Sequence, residues 1–321
     1  MELDDIKKIT VIGLGTMGPG LVQAFAQAGY EVTGFDLDPK AADKSIEIIK
    51  TNLKTLIEHQ LLTSKQAEDT LNAIGLSREI EPALSDADLV MECVSENREI
   101  KGKVFEQVAA RAGKEALMWS NTSTLDIYGL LPPALEKRSL IAHFFAPPHI
   151  IPLVEVVKGP NTPQDLVETS LTLLKKLDKI PIVIQRYLPG FIINRILRNL
   201  GREAFFLLDE GYISMEDLDL AVKASIAPRM MVLGLIQRYD FTGLDLSARN
   251  LLDKDFFDPP VDNRPKALHE RIEKGHLGVK TGQGFFDYQG RDITEINRDR
   301  DDYLLKVMKG VGFCLEKKRL V

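Results

Sequence analysis

Hydrophobic and polar positions change their rhythm once along this chain. Up to about Arg186, short β-branched runs alternate with segments whose apolar residues recur every three or four positions, the pattern of a parallel α/β sheet. Strands are predicted at 8–12, 30–36, 88–94, 116–120, 139–143, 153–157 and 180–184, with Pro181 placing the last at a sheet edge. Helices are predicted at 21–28, 98–112 and 163–177. Residues 40–73 carry Ile46, Ile49, Leu53, Leu56 and Ile57 at helical spacing. That stretch is too long for one crossover helix, so it reads as a helical hairpin broken near Leu62-Thr63-Ser64.

After Arg186 the strand pattern stops. Pro189-Gly190 opens a stretch, 191–211, without strand periodicity, and Gly211 suits the position just past a helix end. Ser214, followed by Glu216 and Asp217, reads as an N-cap with acids in the first turn. The remainder is helix or loop. The expected organisation is an α/β domain over 1–187 and an all-helical domain over 188–321.

The first strand feeds directly into Gly13-Leu14-Gly15-Thr16-Met17-Gly18, and a helix follows. Gly13 allows the tight turn, Gly15 lets the backbone approach a pyrophosphate, and Gly18 permits close helix–strand packing. Thr16 and Met17 complete the loop, where free N–H groups and the helix dipole favour phosphate charge. The next strand ends at Asp36, whose carboxylate can bind the adenosine ribose hydroxyls and repel a 2′-phosphate. This context of strand, turn, helix, strand and acid predicts a Rossmann-like NAD-binding domain with a helical-hairpin insert.

Bulk properties narrow the field of partners. A chain of 321 residues with 44% hydrophobic content can bury cores for two domains. A net charge of −6 without basic, aromatic-interleaved runs argues against nucleic acid. No apolar stretch approaches the roughly 20 residues of a membrane span. Cys93 and Cys314 lie far apart without metal-ligand spacing, so no metal is expected. The first residues lack the features of a signal peptide, and a reducing cytoplasm is the expected compartment.

Several separated motifs then converge: Ser120-Asn121-Thr122-Ser123, His143-Phe144-Phe145, Leu153-Val154-Glu155-Val156, Pro189-Gly190-Phe191-Ile192-Ile193-Asn194-Arg195 and Lys280-Thr281-Gly282-Gln283-Gly284-Phe285. In this order they resemble the L-3-hydroxyacyl-CoA dehydrogenase family along nearly the whole chain. The glycine turn of the 6-phosphogluconate and hydroxyisobutyrate dehydrogenases is a weaker match. The resemblance implies a Rossmann-like domain with a helical hairpin, a helical second domain that forms a homodimer, and a role in fatty acid metabolism. It also implies NAD-dependent, reversible oxidation of a short or medium (3S)-hydroxyacyl-CoA to the 3-oxoacyl-CoA.

The residues bear on that chemistry directly. Oxidising a secondary alcohol needs a base, and histidine, with a pKa near ~6.5, is the natural side chain. His143 ends a predicted strand, and Glu155, in a neighbouring strand, can hold the second imidazole nitrogen and fix its tautomer. A serine hydroxyl such as Ser123 can bond the substrate oxygen in either redox state. The amide of Asn194 can donate to that oxygen as charge develops. By the resemblance, Ser123 is preferred over Ser120, Glu96 and Lys101 are cofactor-side contacts, and Lys280 closes over the site from the second domain. Lys50 and Lys54, one turn apart on the hairpin, are a plausible landing for CoA phosphates.

Two departures from the family pattern stand out. Ala146 follows His143-Phe144-Phe145 where the family commonly carries Asn, so an amide near the nicotinamide or substrate is missing. Arg229-Met230-Met231-Val232-Leu233-Gly234-Leu235-Ile236 replaces a more usual glycine-rich segment. A CoA-free L-hydroxy acid dehydrogenase of the L-gulonate or carnitine type therefore stays open. So does a crystallin-like NAD-binding structural protein, against which the full set Ser123, His143, Glu155 and Asn194 argues.

Overall fold

The computed structural model describes residues 3–255 and 257–316, which divide into two compact units, Met1–Arg195 and Ile196–Val321. The first unit is built on one eight-stranded sheet. Its elements are β1 (Lys8–Ile12), α1 (Gly18–Gln27), β2 (Glu31–Phe35), α2 (Pro39–Glu58), α3 (Ser64–Asn72), β3 (Ile74–Ser77), α4 (Ile80–Leu84), β4 (Leu89–Glu92), α5 (Arg98–Arg111), β5 (Leu117–Ser120), β6 (Ser139–Phe144), β7 (Leu153–Val157), α6 (Gln164–Lys176) and β8 (Ile180–Ile184). Strand order is β3-β2-β1-β4-β5-β6-β7-β8, so the chain reverses direction across the sheet on either side of β1. That reversal opens the crevice in which doubly wound sheets bind ligands.

Alternation along the strands fills both faces. Leu89 and Met91 of β4, Leu117 and Trp119 of β5, and Leu140, Ala142 and Phe144 of β6 pack with Leu21, Phe25, Ile49, Leu53, Leu173 and Leu174. The intervening Val90, Met118 and Ile141 face Leu84, Phe105, Val108 and Phe191 on the other side. Strands buried on both faces read as continuous apolar runs, and that is why they are legible in the sequence.

Three features depart from the expected elements. Strand β3 and helix α4 are additional; Ile74-Gly75-Leu76-Ser77 is short, contains glycine and lies at the sheet edge, so it carries little strand signal. Helix α1 begins at Gly18 rather than 21, with a proline at its first positions, where a missing N–H is harmless. Strand β7 runs antiparallel to β6, because the eight-residue link 145–152 is too short for a helical crossover. The hairpin forms as α2 and α3, and Thr63 and Gln66 make a reciprocal capping box at the start of α3.

Both units contribute to α7 (Ile193–Asp209), whose first turn belongs to the first unit. The compact division thus falls within this helix, after Arg195. The reason is local: Phe191 is buried in the first unit's core, and the N–H groups of Ile192 and Ile193 donate to Glu155. The second unit continues with α8 (Met215–Ala221), α9 (Ala227–Thr242), α10 (Leu244–Leu251), α11 (Lys266–Glu273) and α12 (Ile293–Leu315). Ser214 caps α8 through the N–H of Asp217. Gly234 breaks α9 with a φ of 69°. Among the described residues, Leu305 is the one large apolar side chain of this unit that is buried, while Ile236, Phe241, Leu251 and Phe313 are largely exposed. Among the described residues no helix is long and apolar enough to cross a membrane.

Candidate active site

The glycine loop is shaped by its close approaches. Gly13 has a φ of 97°, and a Cβ there would sit 2.8 Å from the Cys93 carbonyl carbon and oxygen, so only glycine fits. At Gly18 a Cβ would collide with the Gly13 carbonyl. At Gly15 a Cβ would meet nothing within 4 Å, which leaves the backbone facing open space. The Asp36 carboxylate secures this turn, accepting from the N–H of Leu14 (2.7 Å) and of Asp38 (2.9 Å).

Along the loop runs a cavity of about 1130 Å³ in the first unit. Gly13, Gly15, Thr16, Met17 and Asp36 line one end, beside the apolar walls of Leu37, Ile80, Ile100 and Val104. Glu96, Ser123, His143 and Asn194 line it further along. The open space at Gly15, the start of α1 beside it and the acid at the end of β2 fit a dinucleotide, with pyrophosphate at the helix and ribose at Asp36. The apolar walls were not singled out from the sequence, since isolated apolar residues at strand and helix ends carry no local signature.

His143 and Glu155 are directly opposite in the antiparallel register of β6 and β7, so their side chains share one face of the sheet. His143 Nδ1 lies 2.9 Å from Glu155 Oε2, with side-chain exposures of 7% and 0%. The other carboxylate oxygen accepts from the N–H groups of Ile192 (2.9 Å) and Ile193 (3.0 Å), at the start of α7. The imidazole lies between two rings, Phe145 with centroids at 4.5 Å and Phe191 at 5.5 Å. Glu155 thus satisfies three donors if Nδ1 carries the hydrogen. That leaves Nε2 as the nitrogen able to take up a proton.

Ser123 and Asn194 are brought together: the Asn194 amide reaches the Ser123 carbonyl at 3.4 Å. The Ser123 hydroxyl and N–H both donate to Glu96 Oε1, at 3.1 and 2.9 Å. The N–H of Thr124 and the hydroxyl of Thr122 donate to the same oxygen, each at 2.9 Å. Burial on its own would raise the Glu96 pKa, but the Lys101 ammonium and these donors outweigh it and hold the carboxyl at about 2. Lys101 departs from the sequence expectation. Its side chain is 1% exposed and does not line the cavity; it is paired with Glu92 at 2.8 Å and with Glu96 at 3.4 Å, because a buried ammonium needs anionic partners. Glu92 had no sequence signal beyond being an acid at a strand end.

The remaining expected site residues lie elsewhere. Lys50 and Lys54 are exposed on α2 and do not line this cavity. Lys280 is exposed in the 3₁₀ turn Val279–Thr281 of the second unit, where it borders a separate cavity of about 610 Å³. Ala146 is exposed, lines the large cavity and precedes a cis peptide bond to Pro147. Among the described residues no group of His, Cys, Asp and Glu could hold a metal ion.

A doubly wound sheet with a glycine cradle and an acid at the end of β2 marks an NAD-dependent oxidoreductase. Residues 8–187 match the NAD binding domain of 3-hydroxyacyl-CoA dehydrogenase and residues 190–288 match its C-terminal domain, and the chain belongs to that family. It is 32% identical over 307 residues to the 5-formyl-3-hydroxy-2-methylpyridine 4-carboxylate 5-dehydrogenase of Mesorhizobium japonicum, which covers 95% of this chain and 98% of that protein. It is 33% identical over 288 residues to a 3-hydroxybutyryl-CoA dehydrogenase of Bradyrhizobium diazoefficiens, covering 89% of this chain and 96% of that one. A crystal structure of a 5-formyl-3-hydroxy-2-methylpyridine 4-carboxylic acid 5-dehydrogenase, described as an NAD⁺-dependent dismutase, superposes with a TM-score of 0.85 at 30% identity, covering 96% and 99% of the two chains.

Proposed function

We propose that this protein reversibly oxidises a hydroxyl group to a carbonyl with NAD, using His143 as the acid–base residue and Glu155 as its partner. The carrying observation is the 2.9 Å contact between His143 Nδ1 and buried Glu155 at the wall of the cofactor-sized cavity. NAD, when bound, supplies the hydride acceptor. His143 Nε2 takes the hydroxyl proton as hydride leaves carbon, and Glu155 stabilises the imidazolium that forms. Ser123, which gives its hydrogen to Glu96, keeps oxygen lone pairs for a donor in the cavity. The Asn194 amide donates toward the carbonyl oxygen as charge builds.

The substrate we favour is a (3S)-hydroxyacyl-CoA oxidised at C3 to the 3-oxoacyl-CoA, supported by the family match over residues 8–187 and 190–288. Exposed Lys50 and Lys54 offer charge for CoA phosphates. A second reading, a CoA-free hydroxy or formyl carboxylic acid, has its own support. The pyridine carboxylate dehydrogenase matches this chain nearly end to end, whereas the 3-hydroxybutyryl-CoA relative leaves more of it uncovered. Ala146 in the cavity wall favours altered substrate acceptance as well. NADH production and consumption should be compared for 3-hydroxybutyryl-CoA with acetoacetyl-CoA, free L-3-hydroxy acids, and the formylpyridine carboxylate. The CoA reading predicts the highest kcat/KM with the thioester. A far higher value with a free acid rejects it and leaves the His143 mechanism standing.

A further inference from the structure

Behind the cavity wall, two carboxylates share one ammonium, and the residues expected at the reaction centre use only one of the two. Glu92, at the end of β4, is fully buried and faces no part of the cavity. Lys101 Nζ donates to both its oxygens, at 2.8 and 3.0 Å, the Ser120 hydroxyl donates to Oε2, and the Val94 N–H donates to Oε1 at 2.7 Å. From Glu92 the contacts run to Ser123 by two routes. One passes through Ser120, whose oxygen lies 3.3 Å from the Thr122 N–H. The other passes through Lys101 to Glu96, which gathers Thr122, Ser123 and Thr124 onto one oxygen. The turn is therefore held at both ends by groups that converge on Glu92.

We infer that Glu92 and Lys101 form a buried positioning pair that fixes the Ser120–Thr124 turn, and with it Ser123, through Glu96. The functional consequence rests on Ser123 belonging to the reaction site, as proposed above. Burying an ion pair costs several kcal/mol of desolvation, and a well-packed apolar pair is often at least as stable, so its presence here points to a geometric task. Other charged groups lie close by: Arg98 and Asp126, which with Glu96 act on Tyr187, whose hydroxyl donates to the Thr124 carbonyl, and Asp36, which with Glu92 and Lys101 acts on Cys93.

The test is the double variant Glu92→Gln with Lys101→Met, which removes both charges together and so leaves neither one buried alone. In ¹⁵N-labelled protein, the amide signals of Ser123 and Thr124 are followed from about pH 7 to about pH 3, a readout independent of any substrate. The parent should hold its Glu96-bound shifts throughout, whereas in the variant both amides should already be displaced at pH 7, where Glu96 is ionised in both proteins, before they titrate together with a midpoint raised toward the ordinary carboxylate value of about 4.3. In parallel, kcat should fall roughly tenfold or more, the scale of a misplaced catalytic group, with NADH affinity within about twofold. Losing the Lys101 charge raises the Glu96 midpoint in either case, so a merely structural pair would lower the melting temperature and leave the Ser123 and Thr124 amide shifts at pH 7, and kcat, at parent values. A folded double variant with parent-like amide shifts at pH 7 and parent-like kcat overturns the inference. Should that variant not fold, Glu92→Gln alone must lower kcat several-fold at unchanged NADH affinity; parent-like kcat there overturns it equally. If the parent turns over none of the tested substrates, the functional reading fails, while the amide shifts at pH 7 still decide the positioning role.

Discussion

Glu155→Gln separates geometry from charge at the proposed dyad. The native carboxylate answers three donors: His143 Nδ1 at 2.9 Å, and the N–H groups of Ile192 and Ile193 at 2.9 and 3.0 Å. A glutamine has one acceptor oxygen, so it must choose. Turned toward His143, it aims its own N–H₂ at two buried backbone donors, each left unsatisfied at about 1–3 kcal/mol. Turned toward α7, it satisfies both backbone donors and presents N–H₂ to Nδ1. The second placement is favoured by about 2–6 kcal/mol, and it forces the imidazole hydrogen onto Nε2. That tautomer cannot accept the substrate proton. Each ~1.4 kcal/mol is about tenfold, so most of this range leaves at most one molecule in a few hundred correctly poised, before the lost stabilisation of the imidazolium is added. We expect kcat to fall by about 10³–10⁴, the scale found when the aspartate of a serine protease triad becomes asparagine. The fold should survive, since both backbone donors of α7 remain paired. His143→Ala should cost about 10²–10⁴, and the double variant little more than the larger single loss, because the pair acts as a unit. Steady-state rates from NADH absorbance, with NADH titration to show intact binding, decide it. Glu155→Gln turning over within tenfold of the parent would refute this account of the dyad.

Four further outcomes are expected. Asp36→Asn should narrow a preference for NADH over NADPH in fluorescence titrations, and a parent protein that binds NADPH as tightly as NADH would contradict the role given to that carboxylate. Lys50→Glu with Lys54→Glu should raise KM for an acyl-CoA at nearly constant kcat, the mark of lost uniform binding; an unchanged KM removes the hairpin from CoA recognition. The second unit's exposed Ile236, Phe241, Leu251 and Phe313 should be covered by a second copy, so sedimentation at micromolar concentration should give a homodimer, and a monomer would end that expectation. Burial pulls the Lys179 ammonium down to about 8 while its Nζ donates to the carbonyls of Pro148 (2.6 Å) and Ile151 (3.1 Å). The unfolded chain keeps that proton to about 10.4, so between these values the unfolded state binds more protons and this residue's contribution to stability rises with pH. Lys179→Met should lose that rise, so the difference in unfolding free energy between parent and variant should grow with pH across this range, and an identical pH dependence in both proteins would exclude it.

What was legible in the sequence follows from how each feature is encoded. The central strands are buried on both faces, so β4, β5 and β6 appear as largely apolar runs, and the glycine turn announces itself because Gly13 and Gly18 tolerate nothing larger while Gly15 leaves the backbone open. Strand β3 is invisible for the opposite reason: at the edge its residues are only partly covered, and Gly75 dilutes the little signal they have. The pairing of His143 with Glu155 could be suspected from two neighbouring strands, but spacing alone does not dictate it. It depends on β7 turning back beside β6, a consequence of the short link 145–152 rather than of either strand. Lys101 shows the limit most clearly. The resemblance implies a cofactor-side contact for it, yet it points inward, because Glu92 is fully buried and its charge must be answered. A buried carboxylate at a strand end and an exposed one are written with the same letter. Only the packing around Glu92 separates a solvated charge from one that, through Lys101 and Glu96, can set the position of Ser123.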